Sequence, residues 1–291
     1  MTDDVMTEND QAVQQAARNL FLGCVPERKA ELEDFWEKYH PEFQLMDDAG
    51  SGGTFALEAG LFKIVRFNHL AMRAFWLASF IAWEGYSAFY RSTGAKDINL
   101  TRFRSMVQAF RDMLSAEDPE VVQLPPGVPE PGKYCDVKND VEARAAGELA
   151  TIATGWAFLH ELRHIQHQQD GTSAAFNAPS TDQHAEELSC DEFATTFIME
   201  FVANYAEQSG DDEDKVRQKR EVGVYFALFA MALIAADQWG ASESHPAIES
   251  RIENVIKNMG AEGTGISDAI AHAAFAALRI IYPDAPKPFG L

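Results

Sequence analysis

The sequence predicts an α+β protein that is predominantly helical, with a small N-terminal β-hairpin and one buried helix at its centre. Three observations carry that expectation. Segments with apolar residues three and four apart fill most of the chain. Residues 43–59 instead alternate apolar and polar positions around Gly50-Ser-Gly-Gly53. Residues 149–165 are apolar on nearly every face, which suits a helix surrounded by others.

Taken in order, residues 1–12 are polar and acidic and read as a tail. Helices are expected over 12–22 and 27–39, the second bracketed by Pro26 and Pro41. The hairpin pairs 43–47 with 54–59. An aromatic-rich helix follows over 61–91 with Gly94 as its stop, then an amphipathic helix over 100–115. The stretch 124–132 holds four prolines, which lack an amide proton, so it excludes a helix or a central strand. It reads as an ordered loop leading into a helix over 139–169, which stops at Asp170-Gly171. After the polar residues 172–182 come helices over 183–207 and 215–238, separated by an acidic turn. Pro246 fits the first turn of the next helix, which ends at Gly260, and Ser267 caps a last one over 268–281. The proline stretch separates an N-terminal part (1–123) from a helical part (124–291). Neither side looks self-sufficient, so one continuous domain over 12–291 is expected.

The net charge of −21 over 291 residues argues against a nucleic-acid partner, which needs a basic face, and against an anionic membrane surface. Cys24, Cys135 and Cys190 form no CxxC pair and read as free thiols of a reducing compartment. The N-terminus lacks the basic head and apolar core of a signal peptide. The apolar run 70–83 carries Arg73, and the run 222–236 is uncharged for only 15 residues, short of the ~20 that span a bilayer. A cytoplasmic protein is expected.

Inside the central helix lies His160-Glu161-Leu-Arg-His164. At 3.6 residues per turn the two histidines project about 40° apart, with Glu161 in the same sector. Two imidazoles so spaced can grip one Zn2+, and the adjacent carboxylate can act on water as a general base. A catalytic zinc takes three protein ligands, so a third is needed. Glu187 lies 23 residues past His164, in Glu187-Leu-Ser-Cys-Asp191. Its helix carries an apolar stripe at Ala194, Phe197, Ile198, Phe201, Val202 and Tyr205, which extended backwards reaches Asp191 and Glu187. Buried carboxylates need partners: a metal serves Glu187, and a ligand imidazole N–H serves Asp191. Asp170 is a rival third ligand six residues past His164, but the pattern that uses this position needs a glycine where the chain has His167. His184 and Glu186 fall on the wrong face of their helix, and His167 reads as a surface residue. His40, His69 and His272 read as structural. His245 and Arg251, six residues apart at a helix start, are a weak signal alone.

Together, His160-Glu-Leu-Arg-His164, Glu187-Leu-Ser-Cys-Asp191-Glu-Phe-Ala and His245-Pro-Ala-Ile-Glu-Ser-Arg251-Ile resemble gluzincin metalloproteases. Within them the chain is similar to the phage-exclusion protease Lit family of bacteria and prophages. The membrane-bound CAAX-protease and HtpX-type families share the pattern, but the lack of a convincing span favours the Lit type. The likeness is specific over 140–255 and loose before it. It implies a zincin-like fold in which His160, His164 and Glu187 bind Zn2+ and Glu161 is the base. Asp191 would orient a ligand histidine, and His245 and Arg251 would help hold substrate or oxyanion. The implied activity is zinc-dependent cleavage of a cytoplasmic protein, with translation elongation factor Tu as substrate. A non-catalytic zinc-binding defence or sensor protein stays open as a second reading.

Overall fold

A computed structural model describes residues 8–39, 43–46, 55–60, 64–118, 121–175, 177–236, 238–260 and 265–288. Ten α-helices and one three-stranded sheet account for most of them. At the centre is α5 (Val141–Asp170), buried at nearly every position from Ala146 to Leu162. The Asp140 side chain accepts from the Ala143 amide at its start, and Gly171 closes its end in the left-handed conformation at φ 70°. Around it pack α1 (Glu8–Gly23), α3 (His69–Tyr90), α6 (Ser180–Met199) and α8 (Glu213–Ile234). Small residues on α5 admit these neighbours. A methyl group added at Gly155 would collide with Cys24 Cβ, so the chain just past α1 can cross α5 there only over glycine. The shell is completed by α2 (Lys29–Tyr39), α4 (Thr101–Leu114), α7 (Val202–Ser209), α9 (Ile248–Met259) and α10 (Ile266–Ile281). One buried apolar cluster runs from Val13 to Ala285.

The predominantly helical α+β class is as expected, but the sheet differs from a hairpin. Its strands are β1 (Phe43–Met46), β2 (Leu57–Gly60) and β3 (Ile64–Asn68), in the order β1-β3-β2. β3 lies between the two expected partners, parallel to β1 and antiparallel to β2. Gly50–Gly53 lies outside the described residues. The expected helix over 61–91 therefore begins only at His69. Residues 64–68 alternate, with Val65 and Phe67 buried and Arg66 half-buried, which is strand periodicity. Asn68 marks the change: its Oδ1 accepts from the Ala71 amide at 2.9 Å, capping α3, and from the Ala56 amide at 3.2 Å, holding the approach to β2. β2 is left as an edge strand beside α5.

Other boundaries move too: α8 ends at Ile234, not 238, and α10 starts at Ile266 on a Gly265 N-cap, not on Ser267. The helix expected over 183–207 is interrupted at Glu200-Phe201, giving α6 and α7. There Arg28 donates to the Phe197 carbonyl at 3.0 Å and Arg220 to the Ile198 carbonyl at 2.7 Å, so arginine side chains serve carbonyls where the ladder is interrupted. Arg220 is buried against Glu27 at 2.7 Å. On the stripe read from the sequence, Ala194, Phe197, Ile198 and Val202 are buried, whereas Phe201, at the break, is 36% exposed. Pro246 precedes α9, whose N-cap is Ala247. The proline-rich stretch is an ordered loop: buried Arg73 reaches Glu130 at 3.1 Å, and Trp76 donates to the Pro129 carbonyl at 2.7 Å. No described helix is long and apolar enough to cross a membrane.

Candidate metal centre

The site lies in the seam between α5 and α6. From α5, His160 and His164 project side by side, with their Nε2 atoms 3.3 Å apart. From α6, the Glu187 carboxylate meets both: Oε2 is 3.4 Å from His160 Nε2 and Oε1 is 3.2 Å from His164 Nε2. These three residues form the one group among the described residues whose donor atoms converge closely enough to hold a metal ion. Glu187 Oε2 is also buried without a hydrogen bond, an unfavourable state that a cation would relieve.

Each histidine is held from behind. His160 Nδ1 donates to Asp191 Oδ1 at 2.9 Å, and Asp191 is wholly buried. Arg251 of α9 grips the same carboxylate with two nitrogens, Nη2 on Oδ1 at 2.6 Å and Nε on Oδ2 at 2.9 Å. Its remaining Nη1 stands 3.6 Å from Glu187 Oε2. Arg251 is thus almost fully buried, with two nitrogens committed to Asp191, and it also lines the cleft. His164 Nδ1 donates to Glu186 Oε1 at 2.8 Å. The expectation that Glu186 faces away is therefore corrected. Neighbouring helical positions point about 100° apart, and residues 186 and 187 straddle the seam with α5, so both reach it. His184, by contrast, contacts the Ser242 carbonyl at 2.9 Å and takes no part among the donors. His167 is half-buried between Thr172 and Ser189, not a free surface residue. Asp170 is exposed at the end of α5, outside the donor group. Cys190 lies beside His164, and burial pushes its thiol up to about 11.

The charges follow from these contacts. Burial raises the Glu187 carboxyl, but the adjoining His160 and His164 imidazoles and the Arg251 guanidinium outweigh it and hold it well below the usual range. Burial likewise raises Asp191, and the Arg251 guanidinium more than offsets it. Glu161 differs. Burial dominates and pushes its carboxyl above the ordinary value, which makes it a better proton acceptor. Its Oε2 accepts from the Ala59 amide of β2 at 2.6 Å.

The donors open on a cleft of about 710 Å³. One wall is β2 with Leu57 and Ala59, and another is apolar, with Phe75, Trp156, Met231 and Ile248. The loop residues Ser173–Ala175 and His245 complete the rim. The His245 side chain is 56% exposed, with Nε2 3.6 Å from Glu187 Oε1. The sequence signal that could have found Glu186 is the pair of adjacent acids itself, since a helix seam can use both.

Neither the curated proteins nor the solved structures yield a match to this chain. A family model described as peptidase U49 matches residues 65–274, which include both donor helices, α3, α9 and all of β3 but its first residue. With the matched span covering most of the sequence and enclosing the whole donor group, the chain belongs to the peptidase U49 family.

Proposed function

We propose that this peptidase is a zinc-dependent endopeptidase of the gluzincin type, with His160, His164 and Glu187 as ligands and Glu161 as general base. The observation that carries the reading is the donor spacing. A tetrahedral ion with bonds of ~2.1 Å needs ligand atoms about 3.4 Å apart. The two Nε2 atoms stand 3.3 Å apart, and the Glu187 carboxylate spans the pair, with Oε2 3.4 Å from His160 and Oε1 3.2 Å from His164. Bound there, zinc supplies Lewis acidity, which activates water at neutral pH and polarises a scissile carbonyl.

The chain's own residues do the rest. The Ala59 amide holds Glu161 Oε2, which leaves Oε1 to take the water's proton and pass it to the leaving amine. His245, exposed on the rim, is the donor for the developing oxyanion. Arg251, with two nitrogens on Asp191, acts as the support that keeps His160 aimed. Because the Ala59 amide points to Glu161 and away from β3, the Leu57 amide and carbonyl and the Ala59 carbonyl face the free edge of β2. An extended substrate adds there as a further strand, with a large apolar side chain against Phe75, Met231 and Ile248. An open cleft beside a buried base favours an enzyme over a closed structural zinc site.

The likeness to the Lit family makes a cytoplasmic protein, elongation factor Tu, the substrate to test first. The absence of a described helix able to cross a membrane supports that choice over the membrane-bound families. The test is Glu161→Gln. It should retain zinc and lose ~10²–10⁴-fold in cleavage of elongation factor Tu or of another protein found in bacterial extract. A Glu161→Gln chain that cleaves at the wild-type rate overturns the reading.

A further inference from the structure

We propose that Glu186 is a positioning residue whose two carboxylate oxygens tie His164 to the loop that walls the cleft, so that metal binding and loop order are coupled. The proposal rests on the metal-centre reading above. Oε1 accepts from His164 Nδ1 at 2.8 Å. Oε2 accepts from the Ala174 amide at 2.5 Å, and the Ser173 hydroxyl reaches both oxygens at 3.2 Å. Ser173, Ala174 and Ala175 line the same cleft as the donors. One side chain therefore holds a ligand imidazole with one atom and a cleft wall with the other.

The chemistry of a carboxylate makes this possible. Both of its oxygens accept, whereas an amide must donate at one end. With Nδ1–H committed to Glu186, the Nε2 lone pair of His164 is left for the metal and the ring plane is fixed. A metal that selects this ring orientation also selects the Glu186 rotamer that receives the Ala174 amide. By linkage, whatever order the metal gives to the loop, the ordered loop returns to metal affinity. Substrate that packs against residues 173–175 would then tighten the site it is about to enter.

The test uses the full chain as wild type, Glu186→Ala and Glu186→Gln, with zinc as the probe. Zinc affinity is read by competition with a chromogenic chelator, and loop order by amide hydrogen exchange of residues 172–175 with and without zinc. Glu186→Ala should bind zinc ~10–100-fold more weakly, and zinc should no longer slow exchange in the loop. Glu186→Gln can still accept from His164 but sets an N–H against the Ala174 amide. It should stay within about tenfold of the wild-type affinity and still lose the zinc-dependent protection of the loop. A residue that merely stabilised the fold would lower resistance to denaturant in both variants and leave that protection in place. Wild-type affinity in Glu186→Ala, within about threefold, overturns the proposal alone, as does zinc-dependent protection that survives in both variants. A wild-type chain that takes up no zinc overturns the metal-centre reading and the proposal together. Circular dichroism confirms that the variants compared are folded.

Discussion

The two histidines of one short motif are held in unlike ways. His160 leans on Asp191, which has no exposure and is clamped by Arg251 from α9, so its support is built from three packed helices. His164 leans on Glu186, whose other oxygen is spent on a loop. The inner half of the site is framed by the core and forms when the protein folds. The outer half is completed by a segment that also walls the cleft. A site of this kind can be rigid where it would hold an ion and adjustable where a substrate would arrive.

The largest test of that contrast is Arg251→Met. It leaves Asp191 buried without its cationic partner, and breaking a buried pair costs ~3–5 kcal/mol. Urea unfolding should show a loss of that size, and a loss under about 1 kcal/mol would mean that the inner half is not framed as described. Next comes Asp191→Asn, the inner counterpart of Glu186→Gln. It should cost ~10–100-fold in zinc affinity by chelator competition, with no change in the loop's hydrogen exchange. If Glu186→Gln proves the more damaging to affinity, the order of the two halves is reversed. The smallest effect belongs to a third carboxylate, Glu148 on α5, away from the site. Burial raises Glu148, but hydrogen bonds from Lys219 and Arg144 outweigh it and lower its pKa. Its stabilisation is therefore present above the unfolded pKa and lost as pH falls through the folded one. With its side chain a third exposed, Glu148→Gln should cost no more than about 1 kcal/mol at pH 7. The gap to wild type should close in acid below the usual carboxylate range.

How much of this was legible in the sequence depended on whether the signal was periodic. The helices were, because their apolar residues recur with the helical repeat, and so was the central place of α5, apolar on almost every face. The donors His160, His164 and Glu187 could be gathered by extending the α6 stripe backwards to two acids. β3 was missed because Ile64–Asn68 runs without a turn signal into the aromatic start of α3, and only the Asn68 cap marks the change. The break between α6 and α7 was hidden because its cause lies far away in sequence, in Arg28 and Arg220. Glu186 was misassigned because a single-stripe reading gives a helix one inward line. A seam with a neighbouring helix has width, and α6 uses both sides of it.

Arg28 and Glu27 have a further consequence, because both lie before the span matched by the family model. Arg28 holds a carbonyl at the end of α6, and Glu27 neutralises the buried Arg220 that holds the next one. Cys24 lies over Gly155, and Phe21 packs edge-on against Phe158, both on the helix that carries the motif. A segment outside the matched span thus serves as the clamp on both donor helices. A fragment trimmed to residues 65–274 would retain every donor and lose the pieces that hold the two donor helices in place. The span by which this peptidase is recognised is shorter than the span needed to build it.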